Sequence, residues 1–119
     1  MILTNTQMFD SVQALQQASS ETGLLGYAVA VNLRKLSTTP ELVEFFRRRD
    51  ELLAEHGTPA GEGRYNLTPD AAAAFQAALQ PYAELTADVA AMQVEPAVFY
   101  GGGLTSGQMY TLSWMAKEG

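Results

Sequence analysis

The sequence predicts an α+β fold, mostly helical, with about five helices and a small two- or three-stranded antiparallel sheet. Three observations predict it. The phrase Leu3-Thr4-Asn5-Thr6-Gln7-Met8-Phe9 returns as Leu104-Thr105-Ser106-Gly107-Gln108-Met109-Tyr110, and in each copy Thr and Gln stand three apart, the spacing of a capping box. Apolar residues recur at helical spacing through several separate segments. Between those segments lie short β-compatible stretches and Gly/Pro-rich turns, too brief for a large sheet.

Met1-Ile2-Leu3 reads as a brief strand feeding the first cap, and Met8, Val12 and Leu15 mark an amphipathic helix over residues 5–18. The run Leu24 to Val31, continued by Asn32 to Leu36, is apolar nearly all round. It predicts a second helix buried on most faces, with Arg34 and Lys35 at its C-terminal end, and so the central element of the fold. Ser37-Thr38-Thr39-Pro40-Glu41 starts a third helix, which should run to a left-handed cap at Gly57. Gly57 to Gly63 is turn chemistry, and Arg64-Tyr65-Asn66-Leu67 reads as a short strand. Thr68-Pro69-Asp70 caps a fourth helix with Phe75, Leu79, Tyr82, Leu85 and Val89 on one face; Pro81 should kink it or end it a turn early. Met92 to Phe99 is compatible with a further strand interrupted by Pro96. Gly101-Gly102-Gly103 then leads to a last helix from residue 106. The repeated phrase reflects convergence on a good helix start, because nothing between the copies repeats.

With 119 residues, 47% of them hydrophobic and 17% charged, the chain (residues 1–119) suits one globular domain. The net charge of -6 opposes a nucleic-acid or anionic-membrane partner. Absence of cysteine excludes a disulfide scaffold, and no apolar run is long enough for a membrane span or placed as a signal peptide, so a cytoplasmic protein is expected.

The sequence holds no catalytic set. One histidine, His56, without cysteine does not furnish a zinc site, and no serine sits in a G-x-S-x-G elbow, so neither a metal, a cofactor nor enzymatic activity is expected. Asn66-Leu67-Thr68 matches a glycosylation sequon, but Thr68 is better explained as a helix cap. Arg47 and Arg48 stand three or four residues from Glu44 and Glu51, the spacing of exposed helix ion pairs. Arg49 instead continues the apolar stripe of Leu42, Phe45, Phe46, Leu52 and Leu53. Two readings follow. Either its guanidinium snorkels to an internal carboxylate or helix carbonyls, or it clamps an anion at a pocket or interface. In the second reading the ligand-binding residues are Arg49 with Tyr65, Tyr100 or Tyr110 for stacking, near the backbone donors of Gly101, Gly102 and Gly103.

Ile2-Leu3-Thr4-Asn5, Gln13-Ala14-Leu15, Tyr27-Ala28-Val29-Ala30 leading to Leu33-Arg34-Lys35-Leu36, the stretch Glu44 to Gly57 and Leu104-Thr105 together resemble an uncharacterised family of small tailed-phage and prophage proteins. In that family an L-T-N start is followed by a lysine-rich second helix, a third helix closing on R-x-x-L-x-x-x-x-G, and a late L-T helix start. Here Arg49, Leu52 and Gly57 fill the third pattern, while the second helix is rich in Ala and Val. The resemblance implies a phage origin and action in the cytoplasm of an infected bacterium; it brings no catalytic residue. The expected function is non-enzymatic binding, as a counter-defence protein sequestering a small anionic, nucleotide-like host signal or occluding a host protein. A head or tail assembly factor is the alternative. A homo-oligomer, most simply a dimer, is expected, because the second helix and Met109, Tyr110, Leu112, Trp114 and Met115 offer more apolar surface than one small core covers.

Overall fold

A computed structural model describes residues 1–118. Among these the fold is α+β and mostly helical: β1 (Ile2–Thr4), α1 (Asn5–Gln17), α2 (Gly23–Ser37), α3 (Pro40–His56), β2 (Thr58–Pro59), β3 (Tyr65–Asn66), α4 (Pro69–Ala83), β4 (Thr86–Asp88), α5 (Pro96–Tyr100), α6 (Ser106–Thr111) and a 3-10 turn at Ser113–Met115. Both capping boxes form. Thr4 and Thr105 each accept from the N–H of the Gln three residues on, and each Gln side chain returns a bond to the Thr N–H.

The central element is α1, not α2. It buries Met8, Val12 and Leu15 together with Asn5, Ser11 and Ala14, and it packs against α2, α3, α4 and α6. Its first turn also completes the end of α4. Asn5 N–H donates to Leu85 O at 2.8 Å, its Nδ2 to Tyr82 O at 2.9 Å, and Thr6 Oγ1 to Ala83 O at 3.3 Å. Carbonyls in the last turn of α4 and just beyond it thus find donors at the start of another helix.

By contrast, α2 buries one side only, through Leu25, Ala28, Val29, Asn32 and Leu36, while Leu24 and Tyr27 stay 53% and 63% exposed. The expectation of burial on most faces is corrected here. Hydrophobicity sets how much a helix could bury, whereas the number of neighbours sets how much it does.

The sheet is two separate antiparallel pairs, β1 with β4 and β2 with β3. In the first, Ile2, Leu3 and Thr4 face Asp88, Ala87 and Thr86. The strand therefore falls at Thr86–Asp88 rather than within Met92 to Phe99, where Pro96 opens the short helix α5 instead and only an isolated bridge joins Val94 to Ala116. Pro in the first helical turn is favoured because its missing N–H would have had no partner there. In α4, Pro81 is tolerated inside the final turn and the helix ends at Ala83, so Leu85 and Val89 leave its face. Gly57 is also corrected. It is extended (φ -97°, ψ 167°) rather than left-handed, and glycine is needed because a Cβ there would stand 2.8 Å from both Leu53 O and Tyr65 Cβ.

One hydrophobic core runs through all of this, with Met8, Leu15, Leu36, Leu42, Phe99, Leu112 and Met115 fully buried. Leu112 and Met115 had been expected to contribute to an exposed apolar face of the last helix. They are at 0% exposure, and Trp114 is half-buried with its Nε1 donating to Ser11 Oγ at 3.0 Å. Tyr110 alone of the aromatic pair remains out, 86% exposed.

Candidate functional site

Arg49 lies where its place on the α3 stripe put it, at the edge of the core and one-third exposed. Its guanidinium sits 5.1 Å from the centroid of the Phe9 ring on α1. Phe9 in turn meets Phe45 edge-on at 6.1 Å and Phe46 at 5.2 Å, so the cation rests on a rigid aromatic cluster. The guanidinium makes no hydrogen bond to another described residue. Its nearest carboxylate oxygen, Asp50 Oδ1 at 4.0 Å, belongs to a side chain 74% exposed. Arg49 is therefore not locked to a buried acid.

Its neighbours on α3 are engaged differently. Arg47 pairs with Glu44 and Glu51, and Arg48 reaches Glu51 at 3.0 Å while covering the Tyr82 ring at 5.4 Å. The hydrogen bond from Arg47 holds the Glu44 carboxyl below the usual carboxylate range, and the same bond raises Arg47 above its ordinary value. These are surface ion pairs at helical spacing, worth little each.

Arg49 opens on a hollow of 340 Å³ between α1, α3 and α4. Buried Phe45, Phe75 and Leu79 form its floor, and Thr6, Asp10, Gln76 and Gln80 supply polar groups around the walls. The hollow thus combines an apolar floor with a few polar groups and one guanidinium that makes no hydrogen bond to a described residue, with the Asp10 carboxylate adding a negative charge to the same wall.

The other residues expected to join Arg49 lie elsewhere. Tyr65 is on β3, packed against Gly57. Tyr100 closes α5, its ring edge-on to Phe99 at 4.9 Å. Gly101 caps α5, and Gly102 and Gly103 turn against the start of α2, where a Cβ on Gly102 would fall 2.3 Å from Leu25 Cδ2 and one on Gly103 2.6 Å from Glu21 Oε1. That carboxylate occupies the space an anion would need. Tyr110 borders a separate hollow with Leu3, Gln7 and Trp114. None of these residues lines the Arg49 hollow, so the expected constellation is not brought together.

What sequence reasoning missed are Phe9, Gln76 and Gln80. The signal was there in weak form: Phe9 is an apolar residue beside the Met8–Val12–Leu15 stripe, and Gln76 and Gln80 are a polar pair one turn apart flanking Phe75 and Leu79. Nothing local to the sequence joins the two helices. Among the described residues no group of His, Asp or Glu could hold a metal ion, and no helix is long and apolar enough to cross a membrane. Comparison with protein-family models, curated proteins and solved structures found no match.

Proposed function

We propose that this is a non-enzymatic binding protein that takes a small anionic ligand in the hollow between α1, α3 and α4. One observation carries the reading: the Arg49 guanidinium, fixed over Phe9, has its donors free of any hydrogen-bonded protein acceptor among the described residues. A ligand that supplies acceptors adds charge-assisted hydrogen bonds that the described residues do not make to this guanidinium. The preferred ligand carries one carboxylate or phosphate for Arg49 and a flat apolar or heterocyclic part for the floor of Phe45, Phe75 and Leu79. Gln76 and Gln80 offer amide donors and acceptors to that part.

The resemblance to small tailed-phage proteins supports placing this binding in the cytoplasm of an infected bacterium, as sequestration of a host signal. A thermal-shift screen with inorganic phosphate, benzoate and nucleoside monophosphates tests the site, since a ligand bound only by the folded state raises its melting temperature. The expected result is protection by at least one anion that is reduced in Arg49→Lys, which keeps the charge but loses the planar fork. Protection by none of them at millimolar concentration, or equal protection of Arg49→Ala, rejects the reading.

A further inference from the structure

We infer that the ligand of the Arg49 hollow is a zwitterion, an α-amino acid with an apolar side chain, whose ammonium is held by Asp10, Thr6 and Gln80. The inference rests on the reading that Arg49 binds an acidic group, and it adds what the other walls ask for. Asp10 forms no ion pair among the described residues, and although it shares the hollow with Arg49 the two are not paired with each other. Charges of opposite sign thus stand apart in one hollow. A purely anionic ligand that reaches Arg49 is repelled by the Asp10 carboxylate, whereas a ligand with a cation of its own is attracted by both.

Hydrogen-bond capacity agrees with the charges. Thr6 Oγ1 uses its one proton on Ala83 O at 3.3 Å and keeps its acceptor lone pairs. Gln80 Nε2 donates to Glu84 Oε1 at 2.7 Å, while Gln80 Oε1 receives no hydrogen bond from a described residue. Together with the Asp10 carboxylate, these groups present acceptors that lack donors. An ammonium brings three N–H donors and no acceptor, and a guanidinium brings only donors, so the carboxylate of an amino acid goes to Arg49 and its ammonium to the acceptors.

The placement of the groups suits such a molecule. Thr6 and Asp10 stand one helical turn apart on α1, and Asp10 is exposed and also borders the hollows toward α6, so it lies at the mouth. A strongly hydrated ammonium gives up least water there. The floor of Phe45, Phe75 and Leu79 is left to the side chain.

Isothermal titration calorimetry of the full chain tests this with four probes: phenylalanine, 3-phenyllactate with a hydroxyl in place of the ammonium, phenylalaninamide without the carboxylate, and glycine. Phenylalanine is expected to bind about threefold or more tighter than 3-phenyllactate, the worth of an exposed ion pair. Phenylalaninamide and glycine should each bind about tenfold or more weaker than phenylalanine, for want of the Arg49 contact and of the apolar side chain respectively. Asp10→Asn, at an exposed position, should melt as the wild type does, lose the preference for phenylalanine and bind 3-phenyllactate at least as tightly as before. The inference is overturned by wild-type binding of 3-phenyllactate, phenylalaninamide or glycine as tight as that of phenylalanine, or by a preference that survives Asp10→Asn. If 3-phenyllactate equals phenylalanine and its binding is lost in Arg49→Ala, the anion site stands and only the zwitterion falls. Binding of neither acid at millimolar concentration removes both.

Discussion

The Asn32 carboxamide holds both polar groups of the Met92 backbone. Its Nδ2 donates to Met92 O at 2.9 Å and its Oδ1 accepts from Met92 N–H at 2.7 Å, while the side chain is 1% exposed. A buried amide is costly unless satisfied, and here it doubles as the strand-like partner that the irregular segment after β4 lacks. Asn32→Leu should lower stability by about 2–4 kcal/mol, since it orphans two backbone groups as well as removing two hydrogen bonds. Urea unfolding checks this, and a loss below about 0.5 kcal/mol would mean that water replaces the carboxamide.

A second internal tie joins the C-terminal turn to α1. Ser11 is at 0% exposure and accepts from the Trp114 indole N–H. Ser11→Ala keeps the volume nearly constant but leaves that donor without its partner, so a loss of about 1–2 kcal/mol is expected. Trp114 is the one tryptophan of the chain, and its emission should shift with the substitution, because the indole N–H then reaches for water.

Gly57→Ala should destabilise the protein by about 1–3 kcal/mol, through overpacking rather than backbone strain. Its φ of -97° suits any residue, but the added methyl would press on Leu53 O and Tyr65 Cβ. Amide exchange should accelerate first at Tyr65 and Asn66, whose pairing with β2 depends on that close approach.

Glu44 gives the pH dependence a sign. Its folded-state pKa is lowered by the Arg47 hydrogen bond, so between the lowered and the ordinary glutamate value the unfolded chain binds more protons. The contribution is complete above the ordinary value and is lost as pH falls through the lowered one. Because the pair is fully exposed, the effect should be small and should fade in high salt. Melting curves of Glu44→Gln ought to be slightly flatter with pH in this acid window than those of the wild type; an identical slope at low salt would contradict the assignment.

Arg49→Ala should cost less than about 1 kcal/mol of stability, the worth of an exposed-edge cation–π contact, because no buried carboxylate is left behind. Chemical denaturation measures it. A loss above about 3 kcal/mol would instead match the breaking of a buried ion pair and would favour the purely structural role.

Features closed within one turn of helix were legible in the sequence. Thr4 with Gln7, Thr105 with Gln108, and Arg47 with Glu44 and Glu51 all satisfy one another three or four residues apart, so backbone geometry alone brings them together. The inward placement of Arg49 followed from the same periodicity. What completes each of these residues was not legible. Phe9 beneath Arg49, Met92 against Asn32 and Ser11 against Trp114 are separated by dozens of residues, and the choice among such partners is made by packing. The second strand shows the same limit: Thr86–Asp88 was read as the tail of a helical stripe, and pairing with Ile2–Thr4 turned it into a strand. Most consequential is α2, whose composition announced how much apolar surface it carries, while only the tertiary arrangement decided that one side would stay uncovered. Apolarity is a property of the residues; burial is a property of their neighbours.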